Sequence, residues 1–198
     1  INVETAGTLE MLISDKRGIV EELKITGQID GNDIRCLRGM SDQYGLLSSI
    51  DLSEASIVEG GGSIANELPA EAFITTTNLK SIVLPKNLTA IGDFAFQDSG
   101  IEELVLPKNV TSLGRDIFYY ARNLKALSVE NGNPVFDSRD NCNAIIETAT
   151  NTLRIGCVNT KIPTNVTAVG DMAFSGKPGL EEIEIPNTPD LTVWYTYT

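Results

Sequence analysis

The residues able to do chemistry in this chain are few and poorly placed for it. Histidine is absent from all 198 positions. That removes the usual general base, the commonest zinc ligand and the histidine-dependent triads together. Three cysteines remain, Cys36, Cys142 and Cys157, and without histidine they make a poor zinc set. Cys142 and Cys157 flank "NAIIETATNTLRIG", two strand-like runs around the turn-forming TATN. A regular hairpin register that sets Ile145 against Arg154 also sets Cys142 against Cys157, which allows a disulfide in an oxidising compartment. The alternative is a pair of partly buried thiols. The glycine-rich "EGGGS" at 59–63 lacks the lysine ending of a phosphate loop and reads as a crossing between elements. "DSRDN" at 137–141 lacks the spaced acidic series of a calcium loop and reads as a solvated turn. An enzyme built on this chain would need a carboxylate pair such as Asp51 with Glu184. Their strands fall too far apart in the expected fold for the ~5–9.5 Å separations of glycosidases.

Charge narrows the partners. Twenty-seven acidic residues against 15 basic ones leave a net charge of −12, a field that repels phosphate backbones and anionic membrane surfaces. No apolar run approaches the ~20 residues of a membrane-spanning helix. The chain begins at Ile1, so a processed product is expected and the missing leader says nothing of its destination.

The elements that must position any site are announced by repetition. "KSIVLPKNLTAIGDFAF" at 80–96 returns as "EELVLPKNVTSLGRDIF" at 102–118, an offset of 22 residues, and again as "PTNVTAVGDMAF" at 163–174. A partial copy, "LPAEAF", ends at Phe73. A fixed period of this length is the mark of a solenoid. Within a copy, Leu79, Ile82 and Leu84 follow an L-x-x-L-x-L spacing that puts Ile82 and Leu84 on one face of a short strand. Pro85 ends that strand, Asn87 and Gly92 make the turns, and Leu88, Ile91 and Phe96 return inward. Further strand signals stand at 23–25, 50–52, 127–129 and 183–185, and six or seven coils fit the chain. Phe73, Phe96, Phe118 and Phe174 are expected to line up along one axis.

The ends should be atypical, because a bare solenoid end exposes apolar side chains and unpaired strand groups. Residues 5–14 are expected to form an amphipathic helix with Leu9, Leu12 and Ile13 on one stripe. Residues 31–40 are expected to form a second, with Ile34, Leu37 and Met40 inward and Cys36 in the core. At the far end "LTVWYTYT" alternates as a strand does. On each concave strand the residues between inward leucines point out: Lys24, Asp51, Val83, Val105, Ser128 and Glu184. Val83 and Val105 would then be an exposed apolar pair on adjacent coils. This row is the candidate binding surface; ordinary β-propensity on a solvated sheet is the competing explanation. The N-x-T triplets at Asn87, Asn109 and Asn165 recur at one place in the repeat, where turn chemistry accounts for them.

The motif carried by Leu84–Phe96, Leu106–Phe118 and Pro163–Phe174 resembles the BspA-like leucine-rich repeat family of bacterial surface proteins. "NPVFDSRDNCNAIIETATNTLRIGC" resembles the hairpin variant that those proteins intersperse, and "VETAGTL" with "LKITGQIDGNDIRCLRGM" and "IDLSEASIVEGGG" resembles the N-terminal cap segment found in such proteins of Bacteroides-type bacteria. The fold class expected is an α/β solenoid, a right-handed leucine-rich repeat superhelix with a parallel concave sheet. It would form a single domain: a helical cap and first coils over 1–63, regular repeats over 64–129, a hairpin insertion over 130–160 and the last repeats over 161–198. The resemblance implies no catalytic residue and no cofactor. It implies a secreted or cell-surface binding module, lipid-anchored through a segment outside this chain. The partner expected is a host-matrix or bacterial-surface protein rather than a glycan, with no nucleic acid and no direct membrane insertion. A structural docking domain, or a glycan-capture lipoprotein component of a surface assembly, is the other reading.

Overall fold

One coil of this sequence cannot enclose its own leucines; stacking buries them. The computed structural model describes residues 1–177 together with 180 and 192–193. Four strands, β1 (Asn2–Val3), β2 (Glu22–Ile29), β3 (Ser49–Ile57) and, beyond the short β4 (Glu67–Leu68), β5 (Ser81–Val83), lie in parallel in the order β1-β2-β3-β5. On the opposite wall β4 pairs in parallel with β6 (Ala90–Ile91). β7 (Glu103–Leu106) continues the first wall, β8 (Ser112–Leu113) extends the β4-β6 ladder, and β9 (Ala126–Val129) pairs in parallel with β7. Between β5 and β7 the first wall is bridged by backbone bonds. The N–H groups of Ser48, Lys80, Glu102 and Lys125 donate to the carbonyls of Glu21, Ser48, Lys80 and Glu102 at 2.8–3.0 Å.

A third seam runs through the phenylalanine turns. Residues two before and two after each phenylalanine take left-handed backbone angles: Glu71 and Thr75, Phe94 and Asp98, Asp116 and Tyr120, Met172 and Gly176. Left-handed backbone is unfavourable for residues with a side chain. Here it aims alternate N–H groups along the stack, so that Phe94, Phe96 and Asp98 donate to the carbonyls of Arg115, Ile117 and Tyr119. Inside this seam the rings of Phe73, Phe96 and Phe118 are stacked nearly parallel, with centroids 5.6 and 5.5 Å apart.

At the N-terminal end α1 (Leu9–Ile13) and α2 (Gly31–Met40) cover the first coils. α2 matches the sequence reading, with Ile34, Cys36, Leu37 and Met40 buried. Its N-terminus is capped reciprocally by Asp30 and Asp33. Asp33 also accepts the N–H groups of Gly7 and Leu9, which ties α1 to α2. α1 is shorter than expected: it spans five residues and passes into a 3₁₀ turn at Ser14–Lys16. Leu9 and Ile13 are buried, but Leu12 is turned out, 51% exposed.

The insertion is a hairpin. β10 (Phe136–Asp137), β11 (Ala144–Glu147) and β12 (Thr152–Gly156) are antiparallel, and β12 then pairs in parallel with β13 (Ala168–Val169), followed by β14 (Thr192–Val193). The register differs from the regular one expected. Glu147 faces Thr152 and Ile146 faces Leu153, but a bulge then sets Ile145 against Ile155 and Ala144 against Gly156. One extra residue turns each later side chain to the other face, so Cys142 and Cys157 do not oppose each other. Both are free, buried thiols. They belong to different interiors: Cys157 to the large core that runs from Val3 to Phe136 and Ile145, Cys142 to a smaller one with Leu153, Val166 and Val169. Phe174 packs on this second core, close against Gly156. Three of the four phenylalanines therefore share one stack, and the hairpin separates the fourth. Of the C-terminal run only Thr192–Val193 is among the described residues, and it is a strand. The strand signal at 183–185 lies outside them.

Candidate binding face

The outward row expected from the spacing is in register. Lys24 pairs across the sheet with Asp51 and Asp51 with Val83, while Val105 pairs with Ser128. Each stands three residues beyond one link of the backbone ladder described above, so the row is continuous across five coils. Glu184 lies outside the described residues. The flanking row carries Glu22, Ser49 and Ser81, then Glu103 and Ala126.

Charge is settled at one end of the row. Lys24 Nζ lies 2.8 Å from Glu54 and 3.5 Å from Asp51. Its hydrogen bond to Glu54, with Asp51 nearby, raises the ammonium above its ordinary pKa. Hydrogen bonding from Ser53, helped by Lys24, holds Asp51 below the usual carboxylate range. The middle of the row is different. Val83 and Val105 are 50% and 52% exposed, while Ile82, Leu84, Leu104 and Leu106 beside them are buried. Alternation with a rigid pleat makes this so: strands that bury every second leucine must present the residues between. The result is an exposed apolar pair flanked by carboxylates and hydroxyls.

The other motifs serve the fold. In the glycine-rich crossing, Ser63 Oγ accepts the N–H of Gly31 at the start of α2, and Arg35 donates to the Gly61 carbonyl at 2.7 Å. In DSRDN, Arg139 grips Asp137 through Nε and Nη2. Burial opposes ionisation of Asp137, but these bonds hold it below the usual range. Among the described residues no cluster of three or more acidic or thiol groups is placed to hold a metal. Burial pushes all three thiols above their ordinary pKa, the reverse of what a nucleophile needs. Asn87 and Asn109 use their side-chain amides to bridge coils, to Asn66 and to the Lys86 carbonyl.

Sequence reasoning missed a cleft of about 630 Å³ on the opposite wall. It opens where the hairpin parts the third regular coil from the last one, between Leu113–Tyr119 and Gly170–Lys177, with Thr152, Arg154 and Ile155 of β12 behind. At its closed end Lys177, only 7% exposed, donates from Nζ to the Phe118 carbonyl at 2.6 Å. Burial lowers its pKa to about 8. No local pattern announces this lysine, because its partner lies 59 residues away.

The comparisons agree with this architecture. The model of the BspA type leucine rich repeat region matches residues 62–156 and 151–197, in six copies. The fold is similar to a leucine-rich repeat protein from Eubacterium ventriosum, at 19% identity and a TM-score of 0.56, covering 91% of this chain and 51% of that one. It is similar to the pneumococcal vaccine antigen PcpA, at 21% identity and 0.52, covering 88% and 51%. It is also similar to a leucine rich cell surface protein from Faecalibacterium prausnitzii, at 15% identity and 0.51, covering 96% and 65%. The chain thus spans about half the length of the first two. No curated protein matches it. Among the described residues no helix is long and apolar enough to cross a membrane. With its repeat motif, its parallel ladders and this match over most of its length, the chain belongs to the BspA type leucine-rich repeat family, whose domains generally serve as non-catalytic, protein-binding scaffolds.

Proposed function

We propose that the chain is a non-catalytic binding module of the extracellular space or cell surface, holding a partner protein against the outward row of its long parallel ladder. The observation that carries this reading is the half-exposed Val83–Val105 pair, an apolar centre flanked by Asp51, Ser81, Glu103 and Ser128. An interface with an apolar core and polar rim has this arrangement. The backbone beneath is held by bonds from coil to coil, so the surface is ordered before contact and little conformational entropy is lost on association. The proposal includes a single right-handed superhelical domain, capped by its two helices, and a lipid anchor supplied by a segment outside this chain. Its partner would be a host-matrix or bacterial-surface protein.

The test is an immobilised panel of matrix proteins and bacterial surface fractions, probed with the chain and with the double variant Val83→Glu, Val105→Glu. Both side chains are half in solvent, so the variant should keep its thermal midpoint. A partner bound by the parent and lost by at least about tenfold in the variant supports the reading. A partner bound equally by both places recognition elsewhere and defeats it.

A further inference from the structure

The ordinary coils show what the cleft lacks. The carbonyls of Leu68 and Ile91 accept the N–H groups of Gly92 and Gly114 in the coil above, at 2.9 and 2.8 Å. Beyond the hairpin, Leu153 does the same for Gly170 at 2.8 Å. The equivalent carbonyl of Leu113 receives no N–H among the described residues. The phenylalanine seam repeats the omission. Phe94 and Phe96 donate to Arg115 and Ile117 at 3.0 and 2.8 Å, whereas the N–H groups of Asp116 and Phe118 find no acceptor among the described residues. Gly156 of the hairpin takes the Ala173 carbonyl instead. Leu113, Asp116 and Phe118 all line the 630 Å³ cleft, so one acceptor and two donors of a parallel ladder face an opening.

We propose that this cleft binds an extended segment of a partner polypeptide, which adds to the third regular coil as the next coil would. The register defines its chemistry. A glycine of the ligand donates its N–H to the Leu113 carbonyl. The carbonyls one and three residues later accept from Asp116 and Phe118, as those of Arg115 and Ile117 do for the coil below. Glycine is required at the crossing because coils approach closely there: a Cβ on Gly92 or Gly114 would lie 2.5 Å from a backbone nitrogen of the coil beneath. The residue before the glycine is apolar, matching Ile91 and Leu113 in the chain's own coils. Charge does not select the ligand, because Arg115, Arg154 and Lys177 stand in the same walls as Asp116, Glu147 and Asp171. Main-chain bonds supply affinity and the glycine step supplies selectivity, as in other strand additions. The site is on the wall away from Val83 and Val105 and does not depend on the function proposed for them.

The probe is the blocked peptide NVTSLGRDIF, a copy of residues 109–118, titrated into isotope-labelled protein and followed by backbone amide shifts. Saturable shifts centred on Gly114, Asp116 and Phe118 are expected. N-methylation of the peptide's glycine removes the donor and should weaken binding about tenfold, the effect of one lost backbone bond. Its Gly→Val form should fail to bind. The proposal is overturned by a flat titration at millimolar peptide, by equal binding of the modified peptides, or by shifts centred on the strands of Val83 and Val105. Placing all changes in the peptide leaves the protein's own folding untouched.

Discussion

Asp33 is a buried carboxylate that accepts three backbone N–H groups, those of Gly7 at 2.6 Å, Leu9 at 2.9 Å and Asp30 at 3.0 Å. Removing it leaves buried donors without an acceptor, which costs more than the net value of the bonds themselves. Asp33→Ala should therefore lower stability by about 3 kcal/mol, read in urea unfolding, and should expose Gly7–Leu9 to proteolysis first. Lys177 works in the opposite sense. Its ordinary pKa of 10.5 falls to about 8 in the fold, so the native state is penalised for holding the proton below that value. Between pH 8 and 10.5 the unfolded chain binds the proton more tightly, and stability should rise with pH by up to about 3 kcal/mol. Lys177→Met should lose that slope while the remaining lysines and tyrosines titrate as before. Neither residue's role was visible in sequence. D-G-N-D at 30–33 carries a capping pattern, but its reach back to Gly7 depends on where α1 docks, and Lys177 depends on how far the hairpin wedges two coils apart.

Among elements, the close stacking at glycine sets the tightest requirement. A Cβ at Gly114 would meet Asp93 N at 2.5 Å and Gly92 C at 2.6 Å, backbone atoms with no room to retreat. Gly114→Ala should cost about 2 kcal/mol or more, with the loss appearing in unfolding midpoint rather than in helix content. The regular elements were legible because each is reported by its own residues: L-x-x-L-x-L marks the buried side of β5 and β7, and the apolar spacing of 31–40 marks α2. Three features were not. α1 spans only Leu9–Ile13 and leaves Leu12 exposed, because so short a helix docks along a narrower line than the periodicity of 5–14 implies. The bulge in β11–β12 shifts the pairing by one residue and separates two cysteines that spacing alone sets together. Left-handed backbone at Glu71, Phe94 and Met172 falls on residues with no preference for it; ladder bonds between coils outweigh the local cost.

For the molecule as a whole, the hairpin decides how much of it is one body. The row from Lys24 to Ser128 was legible as a surface, since period-two alternation and the repeat length together fix which side chains share a face. The division of the interior into two cores was not, because it follows from the thickness of the insertion. Cys142 and Cys157 fall on either side of that division. Reductant should therefore leave the thermal midpoint unchanged, and mass spectrometry of the unreduced chain should find three alkylatable thiols once it is unfolded. A midpoint that drops with reductant would show a crosslink and place the two sulfurs together.

The interruption of the ring stack after Phe118 has a mechanical meaning. Drawn out along its axis, an array fastened at every turn by repeated backbone bonds and aligned rings resists evenly. At the join between the third regular coil and the last one, part of that fastening gives way, among the described residues, to a lysine on a carbonyl. Stretching would part the molecule there first, leaving the larger bundle of coils intact.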